Sequence, residues 1–208
     1  MQIVKLLFLF LFIYTSVNAQ KNIQDLKKSV QLDIGFGKHG TGDINGLNIN
    51  SEYKRFFSKN LSISFGLGAT LHGGAFPILY SDGNGNLIDA SYRYTTGGLQ
   101  LTSKVGISFI KSTINDFGLQ VGPILRYQSS SYFDEINVLY PAATGLPTPV
   151  IAIINKSPQK TFSLGGIGQL YYNYTIKNNV FIGLSAAIQI DTNGDLINQL
   201  AVSCGLRL

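Results

Sequence analysis

The chain has 208 residues, with 16 basic and 11 acidic side chains giving a formal charge of +5, scattered rather than gathered into the basic stripe a nucleic-acid surface requires. A single cysteine, Cys204, excludes an intrachain disulfide framework, and 13% charged residues beside 23 glycines fall far below the roughly 25% charge of a water-soluble domain. Something other than water is expected to cover much of this surface.

The first element in chain order is a secretory signal. Lys5 precedes an apolar run over residues 6–14, and Val17-Asn18-Ala19 is the small-residue exit that predicts cleavage after Ala19. The run is too short for a transmembrane helix, which needs about 20 apolar residues, and no stop-transfer segment follows. Residues 1–19 are read as signal peptide, 20–28 as a short periplasmic lead and 29–208 as one barrel domain.

From Ser29 onward the chain alternates with period two. Val30, Leu32, Ile34 and Phe36 share one side, and Gln31, Asp33, Gly35 and Gly37 the other. Comparable runs span about 47–57, 61–71, 98–110, 116–128, 161–174, 180–190 and 197–208, which makes eight strands. Most exceed the mode of about 5 to 6 residues in soluble proteins and match the roughly 9 to 11 that a tilted strand needs to cross a bilayer. Pro123, inside the fifth run, removes a ladder donor and predicts a bulge.

The links between runs alternate in length. Residues 58–60, 111–115 and 175–179 are short polar turns beside Phe56, Phe57, Phe109, Phe117, Tyr174 and Phe181, which are expected to form an aromatic girdle. The links at about 38–46, 72–96, 129–160 and 191–196 include two long ones rich in Gly, Pro, Ser and Asn. An even strand count puts the short turns and both termini in the periplasm, and 72–96 and 129–160 outside.

Which face meets lipid follows from the two residue sets. Gly98, Gln100, Thr102, Gly106 and Ser108 are small enough for a narrow interior, which leaves Leu99, Leu101, Val105, Ile107 and Phe109 to the hydrocarbon. A soluble eight-stranded barrel would be charge-rich outside instead. With its signal, eight amphipathic strands, tight turns at one end and long loops at the other, the sequence over 29–208 resembles the small OmpA/OmpX-like outer-membrane proteins. The resemblance implies an all-β, transmembrane, antiparallel up-and-down barrel of eight strands in the outer membrane of a diderm bacterium. Members of that family often end on an aromatic residue read by the assembly machinery, whereas this last strand ends in Leu208.

Motifs that carry chemistry are sparse. Gly35-Phe36-Gly37-Lys38-His39-Gly40 has a nucleotide-loop spacing without the strand-turn-helix unit around it, and reads as a glycine-rich strand end. Asp82-Gly83-Asn84-Gly85-Asn86 begins like a calcium loop, then fails at Leu87 and Arg93, so it reads as a turn, as does Asp191-Thr192-Asn193-Gly194-Asp195. Cys204 falls at lipid-facing parity as a small apolar filler. His39 and His72 lie near the outer rim, where relatives that trim or acylate lipopolysaccharide place a catalytic histidine with a serine and a carboxylate. No spacing forces such groups together here, so no enzyme activity, metal or cofactor is expected, and both histidines are read as bonding to loops.

Two groups of residues remain as candidates. Alternation points Asp33, Glu52, Lys54, Lys104 and Arg126 inward as lumen ion-pair candidates, with Asp33, Glu52 and Lys104 at similar depth. The long loops hold Phe76, Ile78 and Tyr80 in one, and Tyr132, Phe133, Val150, Ile151, Ile153 and Ile154 in the other. So much apolar side chain is expected either to engage a partner or to pack as a cap over the mouth. The expected role is structural or interactive through these loops, with outer-membrane lipid, lipopolysaccharide and an envelope or surface protein as partners. A narrow channel and a lipopolysaccharide-modifying enzyme are the alternatives. The first is handicapped, because eight strands enclose a lumen about filled by its own side chains while aqueous porins need about 16 to 18.

Overall fold

The computed structural model describes residues 28–40, 44–81, 84–176 and 179–208. The expected signal peptide, most of the lead, and Asp82 and Gly83 of the calcium-like loop lie outside the described residues. The elements in chain order are β1 (Lys28–His39), β2 (Ile44–Phe56), β3 (Leu61–Phe76), β4 (Leu79–Ser81), β5 (Leu87–Asp89), β6 (Tyr92–Lys111), β7 (Asn115–Ser130), β8 (Glu135–Leu139), α1 (Pro141–Thr144), β9 (Val150–Ile154), β10 (Lys160–Thr175), β11 (Val180–Asp191) and β12 (Leu196–Arg207).

Eight of the strands close a barrel in the order β1-β12-β11-β10-β7-β6-β3-β2, and β4-β5 and β8-β9 form two separate hairpins in the long loops. Each barrel strand pairs antiparallel with its chain neighbour in the wall, and β12 returns to β1 from Ser29↔Arg207 to His39↔Ile197. Closure satisfies every edge, which is what a wall in hydrocarbon requires.

The ladders are staggered. Starting at Asn45 of β2, the register runs to Lys38, Asn198, Ile188, Gly168, Val121, Val105 and Ile63 on successive strands. It comes back to β2 at Arg55, ten residues nearer the end that carries the termini. Rows of paired residues therefore climb obliquely around the wall, as strand tilt in a closed barrel demands.

Alternation decides what each face meets. Along β1 the residues Gln31, Asp33 and His39 are buried, while Val30, Leu32, Ile34 and Phe36 are exposed, Phe36 at 74%. Lys28 and Lys38 bracket that apolar stretch on the outward face. The ten residue steps from one to the other, at about 3.3 Å each and a tilt of roughly 40°, span about 25 Å, the height of an outer-membrane apolar band. The charge-poor composition thus belongs to a transmembrane β-barrel with a lipid-facing wall. Cys204 is exposed on that wall.

Three sequence expectations need correction. Pro123 makes no bulge, because the β6–β7 register is the same on either side of it and shifts only between Ser108 and Ile110. Gly122 beside it lets the backbones stay close: a Cβ there would lie 1.9 Å from the Ser103 carbonyl oxygen. Phe56 and Phe181 do not join a girdle, since both are buried inside the barrel, whereas Phe57, Phe109 and Tyr174 are exposed outside. Finally, β3 and β6 run on past the expected ends near 71 and 98, pairing as far as Phe76↔Tyr92, so part of the long loop is extended sheet.

Candidate functional site

The lumen is divided into three polar layers. At the end with the termini, Ser108 Oγ donates to Asp116 Oδ1 at 2.8 Å, and the Tyr171 hydroxyl reaches the same oxygen at 3.3 Å. Lys111 Nζ lies 3.7 Å from Asp116 Oδ2 and over the Phe56 ring, Lys54 Nζ sits 3.6 Å from the Tyr171 ring centre, and Arg207 Nη1 donates to the Ser112 and Thr113 carbonyls at 3.1 Å each. Aromatic faces stand in here for some of the carboxylates that these cations would otherwise need.

The middle layer holds the buried pair. Lys104 Nζ is 2.5 Å from Glu52 Oε2 and also donates to Gln169 Oε1, while Gln120 Nε2 donates to Glu52 Oε1 at 3.0 Å. Asp33 does not contact Lys104. It accepts from Gln31 Nε2 at 3.2 Å and lines the same void as Glu52 and Lys104. That void measures about 20 Å³, room for about one water molecule.

Toward the loop end, Arg126 is fully buried and gives Nη2 to Thr70 Oγ1 at 3.1 Å. His39 and His72 are inside as well, with ring centres 5.3 Å apart. His39 Nε2 lies 3.5 Å from Asp195 Oδ2 in the β11–β12 link, but neither nitrogen of His72 meets a partner among the described residues. Neither ring makes a hydrogen bond among the described residues, so the expectation that both histidines bond to loops is not met, His39 keeping only its 3.5 Å approach to Asp195; the His72 ring lies over Gly46, where a Cβ would come within 2.6 Å of it. Both histidine side chains thus point into the barrel. Among the described residues no group of three His, Cys, Asp or Glu is placed to hold a metal ion. The Asp191 to Asp195 segment is a hairpin turn, with Asp191 Oδ1 accepting from the Asn193 amide at 3.0 Å and Gly194 at a φ of 79°.

The long loops form a knit platform. Phe133 is buried against Phe76, Tyr92, Tyr94 and Tyr132, with ring centres 4.9 to 6.3 Å away, so the third loop is seated on the extension of β3 and β6. Ile78 and Tyr80 are also buried, and the Tyr80 hydroxyl donates to the Pro147 carbonyl at 3.5 Å. The rest of the apolar content stays out. Val150, Ile153 and Ile154 on β9 are exposed, with Leu139, Tyr140 and Leu146 around them, while Ile151 is half-buried. Phe76 and Tyr132 are each 37% exposed, so they contribute to both the packed cluster and the surface.

The β8–β9 hairpin is fixed at its base by Asp134, whose Oδ2 accepts from the Lys156 and Ser157 amides at 2.5 and 2.6 Å. These two N–H groups hold its carboxyl below the usual carboxylate range. Because the folded value is depressed, the stabilisation is fully present above the unfolded value near 3.9 and is lost as pH falls through the folded one. Protection of the Lys156 and Ser157 amides, taken relative to their intrinsic exchange rate at each pH, is therefore expected to be high at neutral pH and to fall only under acid conditions. Asp134→Ala should lack this protection at every pH. Equal protection in both proteins would mean that the carboxylate does not hold the hairpin.

An eight-stranded closed antiparallel barrel with an apolar outer wall and a filled polar lumen is the outer-membrane β-barrel fold of the OmpA/OmpX type. Among solved structures the chain is similar to Neisserial surface protein A, at 11% identity and a TM-score of 0.52 over 87% of this chain and 97% of that one. Fainter likenesses link it to Ail, the attachment invasion locus protein of Yersinia pestis (9% identity, TM-score 0.49, 88% of this chain and 99% of that one), and to the N-terminal β-barrel domain of Pseudomonas aeruginosa OprF (11%, 0.44, 86% and 97%). The likeness to Neisserial surface protein A shows the fold alone. No protein-family model and no curated protein sequence matches the chain.

Proposed function

We propose that the protein is an outer-membrane anchor that presents a rigid loop platform to an envelope or surface partner, its loop end facing outward and its short turns facing the periplasm. The observation that carries this reading is the β8–β9 hairpin, where Val150 and Ile154 are exposed on one face and Ile153 on the other, on a loop otherwise packed down through Phe133. Loops in water rarely keep that much apolar side chain uncovered, and exposed apolar side chains gathered in this way usually mark an interaction site. The filled lumen speaks against a channel, and the inward-facing histidines speak against lipid chemistry.

The test separates binding from folding. Replacing residues 150–154 by Ser and Gly is expected to leave barrel assembly intact, read as heat-modifiable gel mobility, while removing crosslinks between the loops and envelope partners in intact cells. Crosslinks unchanged by the replacement, or none in the native protein, would sink the proposal. Surface labelling of the turns near 58–60 or 175–179 would invert the orientation.

A further inference from the structure

The lipid-facing wall is not evenly covered. Two adjoining outer depressions of about 440 and 700 Å³ share Phe36, Leu170, Ala186 and Leu200. They follow the register. Leu119, Leu170, Ala186, Leu200 and Phe36 are successive partners in one row, and Val121, Gly168, Ile188, Asn198, Lys38 and Asn45 are partners in the next row toward the loops. Ala186 and Gly168 are the small members of these rows, and they leave a trough between the larger side chains. Because the rows climb around the wall, the trough rises from mid-band on β7 and β10 to the loop-end rim on β1 and β2.

The glycine in the trough is not there for backbone approach. A Cβ at Gly35 would lie 2.1 Å from the Leu200 carbonyl oxygen, so that strand contact needs glycine, whereas a Cβ at Gly168 would meet nothing within 4 Å. Space, rather than backbone packing, is what Gly168 provides. At the upper end the lining changes character, since Lys38, Asn45 and Asn198 are outward-facing neighbours at the edge of the apolar band. An ammonium and two amides placed where the band ends are complementary to a phosphate, and an apolar trough below them is complementary to a hydrocarbon chain.

We propose that this trough is a specific site for one phosphate-bearing lipid of the loop-end leaflet, its acyl chain lying over Gly168 and Ala186 and its phosphate against Lys38, Asn45 and Asn198. The proposal rests on the lipid-facing reading of the wall and names the lipid contact within it. The full-length mature chain would be refolded into phosphatidylcholine vesicles doped with phosphatidic acid, extracted in mild detergent, and weighed by native mass spectrometry. The native barrel is expected to retain one phosphatidic acid. Lys38→Gln should lose the preference for phosphatidic acid by roughly fivefold, the effect of one cation at a membrane surface. Gly168→Leu and Ala186→Leu should lose retained lipid of both kinds. Native protein that keeps both lipids alike, or neither, would overturn the site. So would a dimer that Gly168→Leu dissolves, since a second copy would then fill the trough. Failure of the native chain to insert at all would instead count against the lipid-facing wall, so the two readings fail separately.

Discussion

Glu52→Ala is expected to weaken the folded barrel by about 3 to 5 kcal/mol and to raise its conductance in planar bilayers, because it leaves the buried Lys104 amine without its carboxylate partner. The pair is 2.5 Å long with both side chains almost wholly buried, and the void beside it has room for only about one water, so neither charge can regain a full hydration shell where it stands. Lys104→Ala should cost less, since Glu52 would keep the Gln120 amide at 3.0 Å and the field of Lys54. In Glu52→Ala, by contrast, Lys54 loses the same carboxylate as well. Removing both charges together, as Glu52→Gln with Lys104→Met, should restore most of the lost stability, because a pair's desolvation offsets much of its attraction. With no tryptophan in the chain, urea unfolding in vesicles is best followed by far-ultraviolet circular dichroism. A double variant no more stable than either single one, or conductance unchanged in both, would show that the pair neither supports nor closes the lumen.

The eight strands were legible because period-two alternation survives wherever one face meets hydrocarbon and the other a narrow interior. Inwardness of the charges followed from the same parity, but their partners did not. Lys104 on β6 meets Gln169 on β10, and Asn48 on β2 meets Gln199 on β12 at 2.8 Å, contacts set across the barrel by its ten-residue stagger rather than by any local spacing. Lys111 was missed for a different reason. The register shift between Ser108 and Ile110 reverses parity just before it, so a residue that counts as outward ends over Phe56 inside. Asp116 and Arg207 were within reach of parity, Arg207 standing between the outward Leu206 and Leu208. Phe56 and Phe57 are adjacent, so one of them had to point in, and a girdle containing both was never consistent with a strand. In the loops, composition showed excess apolar content but not its division. Phe133 is buried by the unforeseen extension of β3 and β6, while β9 has no strand above it.

The largest effect in the wall is expected from Gly122→Val, which should abolish assembly of the barrel outright. A Cβ there would lie 1.9 Å from the Ser103 carbonyl oxygen and 2.8 Å from Lys104 Cα, backbone atoms that no rotamer change can clear. The adjoining Pro123 has no N–H to donate, and the assigned β6–β7 pairs lapse between Thr102↔Ile124 and Val105↔Val121. Close packing of the two chains at Gly122 is what carries the wall across that lapse. Pushing them apart would expose unpaired backbone groups to hydrocarbon, each worth several kcal/mol, and would also displace Lys104 from Glu52. Gly168→Val on the next strand is the matched control, with the same added bulk facing open space. In outer-membrane fractions the control should keep heat-modifiable mobility, and Gly122→Val should show only the unfolded band. If Gly122→Val assembled as well as Gly168→Val, the close approach of β6 and β7 would not be what holds the wall together beside Pro123.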